Sequence, residues 1–199
     1  MLFYIYQALN DFRKMFSRRS TWLVFCMVIL GFMGTREISG VTSLCRFWCL
    51  GACGYHMFLH FFRVSAWSND ALRACWSAFI LSKNETIDVD GRAVLLGDHT
   101  YVAKDGRRMP CVVTLHQHSE TQSKPSYFRG HCWAAMGMLV GTMAAPFCIP
   151  LDTRIAHIGE DDKEEKSKET LGTRIVQMAI DFAARHDLPS IFVLDAFFP

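Results

Sequence analysis

The sequence has no Walker-type glycine loop, no G-x-S-x-G elbow and no Rossmann fingerprint, so the familiar frames for nucleotide phosphates and for a serine nucleophile are missing. It has no internal repeat and no convincing secretory signal, which leaves the sequon Asn84-Glu85-Thr86 without meaning. The net charge of +2 is too small to indicate a partner by itself. Long apolar runs are scarce. Residues 20–35 are uncharged but shorter than the roughly 20 residues a span needs. Residues 130–151 are long enough, yet they hold two Pro, several Gly and a His, and two buried strands joined by a turn explain that composition equally well. A small membrane protein is therefore the least favoured class, and no membrane partner is expected.

What is present is a 51% hydrophobic chain of 199 residues, enough for one or two compact domains. Its eight Cys sit mostly among apolar neighbours, as in Phe25-Cys26-Met27 and Phe147-Cys148-Ile149, and read as reduced, buried thiols rather than a disulfide framework. Charge is unevenly spread. Residues 1–82 carry eight basic residues (Arg13, Lys14, Arg18, Arg19, Arg36, Arg46, Arg63, Arg73) against Asp11, Glu37 and Asp70, a balance of +5. Such a segment can meet phosphate, or simply be a solvated helix face.

Residues 1–82 read as helices. Leu2, Ile5, Tyr6, Leu9 and Phe12 share a face, Ser20 or Thr21 can cap a helix over roughly 22–32, and Ser68-Asn69-Asp70 can cap another carrying Leu72, Cys75, Trp76, Phe79 and Ile80. From Lys83 the pattern changes. Residues 92–103 look like a strand, Asp105-Gly106 is a hairpin signal, and 111–119 is the expected partner strand. Residues 120–130 read as a polar loop, followed by two strands split near Gly141. A charged connector precedes an amphipathic helix marked by Leu171, Ile175, Met178 and Phe182, and the chain closes on the apolar run "SIFVLDAFFP". The fold class is thus α+β to α/β: a helical region over 1–82, then a mixed sheet with a crossover helix over 83–199.

Two acids interrupt strand-like segments, Asp98 in "VLLGDHTYVAKDGRRMP" and Asp195 in "IFVLDAFF". A buried unpaired carboxylate is costly, so each should be paired, exposed at a cleft or bound to metal. A strand–helix–strand crossover makes their strands parallel, and sites gather at the carboxyl ends of such strands. If the strands are neighbours, both carboxylates reach one crevice. Hard oxygen ligands suit Mg²⁺ or Mn²⁺, and paired ions can clamp both oxygens of a phosphoryl transfer.

The stretch "LLGDHTYVAKDGRRMPCVVTLHQHSETQSKPSYFRGHCW", the later "IFVLDAFF" and the helical segments upstream resemble bacterial insertion-sequence transposases of the DDE type, across nearly the whole chain. The resemblance implies a ribonuclease-H-like core, with Asp98 and Asp195 as the first two catalytic and metal-holding acids. It also implies Mg²⁺ or Mn²⁺ as cofactor, DNA as partner (terminal inverted repeats and target DNA), self-association, and a cytoplasmic, nucleoid-associated location. The family's third acid, a Glu on a later helix, has no counterpart, so the core is expected to be incomplete and the chain to be an N-terminal fragment, inactive alone. The alternative is a non-catalytic DNA-binding remnant.

Other clusters weigh less. Cys45, Cys49, Cys53, His56 and His60 look like a metal set, but their spacing along one helix face would not wrap an ion tetrahedrally. His116 and His118 share a strand face and suit an edge position. Lys104, Arg107 and Arg108 flank the expected turn, and Lys124 and Arg129 lie near Tyr127 and Phe128; these are the candidate DNA contacts. Asp152 is expected to pair with Arg154.

Overall fold

The computed structural model describes residues 2–36, 40–64, 66–104, 106, 109–116, 125–156 and 170–195. The chain divides into two compact units, Met1–Ser82 and Lys83–Pro199.

The first unit is helical: α1 (Leu2–Asp11), a 3-10 turn (Phe12–Met15), α2 (Arg19–Gly34), α3 (Val41–Phe47), α4 (Ala52–Arg63) and α5 (Asn69–Leu81). Its core is aromatic, with Phe12, Phe16, Phe25, Phe58 and Phe61 buried around Leu44. Indole N–H groups in this apolar setting need acceptors. Trp22 Nε1 donates to Leu9 O at 3.1 Å and Trp48 Nε1 to Met27 O at 2.9 Å. The Ser68 hydroxyl caps α5, accepting from the Ala71 N–H at 3.4 Å. At α2 the expected Ser20 or Thr21 cap is absent: the helix starts at Arg19, about three residues earlier than expected, behind Arg18, which makes no side-chain cap.

The cysteine-histidine run does not lie on one helix. α3 stops after Phe47, and Cys49 adopts a left-handed conformation (φ 53°) that turns the chain into α4. The Leu50 N–H reaches Cys45 O at 2.8 Å and the Cys49 N–H reaches Arg46 O at 3.1 Å, which makes a Schellman ending with Cys where glycine is usual. Cys49→Gly is expected to stabilise this unit by about 0.5–1 kcal/mol through relief of that conformation, read as a raised denaturation midpoint. The expectation of mostly buried thiols holds in part: Cys45, Cys75 and Cys132 are buried and Cys26 and Cys111 half-buried, whereas Cys49, Cys53 and Cys148 are exposed.

The second unit is a six-stranded mixed sheet with one helix among its described residues. Its elements are β1 (Asp88–Val89), β2 (Arg92–Ala103), β3 (Val113–His116), β4 (Tyr127–Thr142), β5 (Ala145–Ile155), α6 (Leu171–His186) and β6 (Ser190–Leu194). β1 turns into β2 through Asp90-Gly91, whose positive φ values of 52° and 71° make the tight hairpin that this dipeptide favours. β2 pairs antiparallel with β4 on one side and parallel with β6 on the other. β5 is antiparallel to β4.

The expected hairpin between residues 92–103 and 111–119 is not formed. β3 pairs instead with β4, so β2 and β3 flank the same strand. The connection between them crosses β4 where His131 Nε2 meets Pro110 O at 2.9 Å. β4 also begins earlier than expected, at Tyr127, taking in the end of the polar stretch 120–130. Residues 130–151 belong to β4 and β5, and among the described residues no helix is long and apolar enough to cross a membrane.

Alternation fixes the faces of the sheet. Ala93 and Leu95 on β2 and Cys132, Ala134, Met136, Met138 and Val140 on β4 point to one side and are buried. α6 packs on the sheet with Ile175, Met178, Ala179 and Phe182 buried. Arg174 ties the helix start to Ala156 O, and Arg154 pairs with Asp152 at 3.0 Å and with Asp181 of α6 at 3.8 Å. Burial lowers the His186 imidazole pKa below its ordinary 6.5, helped by Arg185. The unfolded chain therefore binds this proton more readily, and the His186 contribution, present above pH 6.5, is lost as pH falls through the lowered value. His186→Gln should flatten that part of a stability-against-pH curve. On the side of the sheet opposite α6, Leu96, Trp133 and Ala135 are half-buried and Asp98 and Thr100 are exposed.

Candidate functional site

Asp98 lies mid-strand, opposite Ala135 of β4. On the other side of β2 the parallel register runs from Ala93↔Ser190 to Gly97↔Leu194 and ends there. Asp98 and Asp195 are the next residue on each chain. Asp98 continues along β2 while Asp195 is the first residue beyond β6, so their backbones lie side by side, about 4.8 Å apart. By alternation Asp98 belongs to the open face, opposite α6, with Thr153, Ala135 and Asp98 forming one row across three strands and Asp195 following Leu194 beside it.

A glycine permits this arrangement. A β-carbon at Gly97 would lie 2.5 Å from Phe192 Cζ and 2.7 Å from Leu194 Cδ2. The absence of a side chain lets these two β6 residues lie against β2 on the buried face. Across the row, Ala135 keeps the surface beside Asp98 low.

Both carboxylates are exposed. Asp98 Oδ1 accepts its neighbour's backbone N–H, from His99, at 2.7 Å. Neither acid forms an ion pair among the described residues. An acid in the middle of a strand is thus accommodated by exposure, with oxygen lone pairs left for a ligand. Burial pushes the nearby Tyr101 phenol up, with smaller contributions from Cys132 and Asp98. The Cys132 thiol is pushed up to about 11 by burial, so it remains protonated at neutral pH and is no nucleophile.

The basic candidates lie elsewhere. The Lys104 N–H donates to Arg129 O at 3.0 Å, continuing the β2–β4 pairing. These two residues sit six positions from Asp98 and Ala135, about 20 Å along the strands. They share the open face with Asp98 but do not touch it. Arg107, Arg108 and Lys124, and also His118, lie outside the described residues. Sequence reasoning missed Thr100, Trp133 and Thr153, which share the open face with Asp98. Thr100 was recoverable from its two-residue spacing; the others needed the register.

Among the described residues, no three His, Cys, Asp or Glu side chains come together as a metal-holding group. An apolar cavity of about 550 Å³ in the helical unit, lined by Phe12, Phe25, Trp76 and Phe79, has Arg73 as its one charged wall, and Arg73 already pairs with Asp70. It offers no acid–base chemistry. Comparison with protein families, curated proteins and solved structures gives no match.

Proposed function

We propose that this chain carries the paired-aspartate part of a DNA strand-cleaving and strand-joining site of the DDE transposase kind, with Asp98 and Asp195 holding Mg²⁺ or Mn²⁺. The observation that supports this most is the register: the two acids singled out by the resemblance, 97 positions apart, follow directly on the last parallel pair, Gly97↔Leu194. The mixed sheet, with β6 parallel to β2 after a crossover helix, is in keeping with the ribonuclease-H-like core that the resemblance implies.

The donor set fits the metal. Mg²⁺ takes oxygen ligands and commonly keeps one or two carboxylates, filling the rest with water and phosphate oxygens. A bound ion would supply charge neutralisation at the phosphate and an activated oxygen nucleophile at neutral pH. The chain's own part is to fix one carboxylate in the middle of β2 and the other at the end of its neighbour β6, while Lys104 and Arg129 attract the phosphate backbone from the same face as Asp98. A DNA partner also implies a nucleoid location.

The test is Mn²⁺ binding together with strand nicking on DNA carrying candidate terminal repeats. Mn²⁺ held by the chain and weakened in Asp195→Asn, with little or no nicking by the chain alone, would support the reading, whereas robust nicking would overturn the expectation that the chain is inactive by itself. DNA binding with no Mn²⁺ held at Asp98 and Asp195 would leave the non-catalytic DNA-binding alternative instead.

A further inference from the structure

We propose that the open face has a second station, formed by Tyr127, His116, Arg129 and Lys104, that holds an unpaired DNA strand by base stacking. The idea that the strand then runs to the acids rests on the functional reading above; the station itself does not.

The register puts these four groups together. His116 is opposite Tyr127, Thr114 opposite Arg129, and Lys104 continues β2 opposite Arg129. The alternate residues Leu115 and Phe128 turn to the other side, where Leu115 is buried and Phe128 meets Tyr101. The station is therefore on the same face as Asp98. The Tyr127 and His116 rings lie 4.7 Å apart and are tilted by 57°, so the imidazole braces the phenol without stacking on it, and Tyr127 remains 67% exposed. A large aromatic held from behind and open in front is the form of a stacking platform for a base.

Arg129 is two residues along the same strand and exposed, where it can meet the phosphate next to a stacked base. Unpaired strands present base faces, while a duplex hides them between neighbouring pairs, so the platform selects single strands or frayed ends. At the roughly 3.4 Å per phosphate of a helical strand, the ~20 Å from the station to Asp98 takes about six nucleotides, and fewer when stretched. The connection between β2 and β3 crosses between station and acids at His131, so the strand would pass over it. The two ends differ in charge. Cations at the station attract DNA without metal, and acids at the other end repel it until a divalent ion is bound.

The experiment uses the full chain in EDTA with a fluorescein-labelled short single strand and the blunt duplex of the same sequence. Tyr127→Ala should weaken single-strand binding by about tenfold and change duplex binding little, while Tyr127→Phe keeps it. Arg129→Ala should lower the salt slope by about 0.7, the value for one phosphate of a single strand. All of these measurements are made in EDTA, so that failure of the metal site and failure of the station are seen separately. Photocrosslinking with 5-iodouracil strands, followed by peptide mapping, excludes masking by DNA held elsewhere. Crosslinks to the peptide containing Tyr127 support the station. Crosslinks confined to other segments, or equal losses in Tyr127→Ala and Tyr127→Phe, overturn it.

Discussion

Asp98→Asn is expected to weaken Mn²⁺ binding by about 30-fold, measured by titration of the free-ion paramagnetic signal. The size follows from Coulomb's law at its weakest. A carboxylate about 4 Å from a divalent ion is worth roughly 2 kcal/mol even at the dielectric of water, and more beside a protein surface. Asn keeps the shape and one oxygen but loses the charge. Exposure of Asp98 means that removal of its charge breaks no ion pair among the described residues, so the fold should be unaffected. Asp195→Asn should cost a similar amount. The double variant should lose binding altogether, because no third His, Cys, Asp or Glu among the described residues joins the two acids in a metal-holding group. Unchanged Mn²⁺ affinity in both single variants would remove the metal site, and with it the proposed chemistry.

Gly97→Val should have the largest effect on the fold, and two principles oppose each other in it. Valine is a strong strand former, and glycine in a strand interior costs about 0.5–1 kcal/mol relative to alanine, so propensity alone predicts a gain. Packing predicts the reverse. The new β-carbon would lie 2.5 Å from Phe192 Cζ and 2.7 Å from Leu194 Cδ2, and two further methyls have to be placed in the same space. Overpacking of this kind costs about 1–3 kcal/mol, which exceeds the propensity gain. We expect a lower denaturation midpoint and weaker Mn²⁺ binding with both aspartates intact, because β6 is displaced and Asp195 with it. A higher midpoint with unchanged metal affinity would mean that β6 does not lie against Gly97 as described.

Much of the sheet unit was legible because its signals are periodic. β2 has the bounds 92–103 that its sequence pattern indicates, and α6 displays its buried Ile175, Met178 and Phe182 at helical spacing. The parallel direction of the strands bearing Asp98 and Asp195 followed from the crossover between them, whereas their adjacency was left open by the sequence and is seen in the register. The errors came where local signals compete. Asp90-Gly91 and Asp105-Gly106 look alike in the sequence, but β1 and β2 pair across the first, whereas the strands on either side of the second both pair with β4. Cys49 gave no sign of ending a helix, since the left-handed position it fills is normally announced by glycine. Trp133 and Thr153 could not be placed beside Asp98 without the register, because one step of slippage sends a side chain to the other face.

The parallel pairing of β2 with β6 has a consequence for the time at which the site comes into being. Antiparallel neighbours such as β4 and β5 close through a short turn, but Gly97 and Leu194 must meet across nearly the whole second unit. Long-range pairings pay their loop entropy before they gain contacts, so they are slow steps. During synthesis β2 emerges long before β6. Asp98 thus spends its early life alone, on a partly formed sheet with too few ligands to retain an ion. On the proposed reading metal capture is then a late event, and the two acids come together only when the last pairing of the sheet has locked.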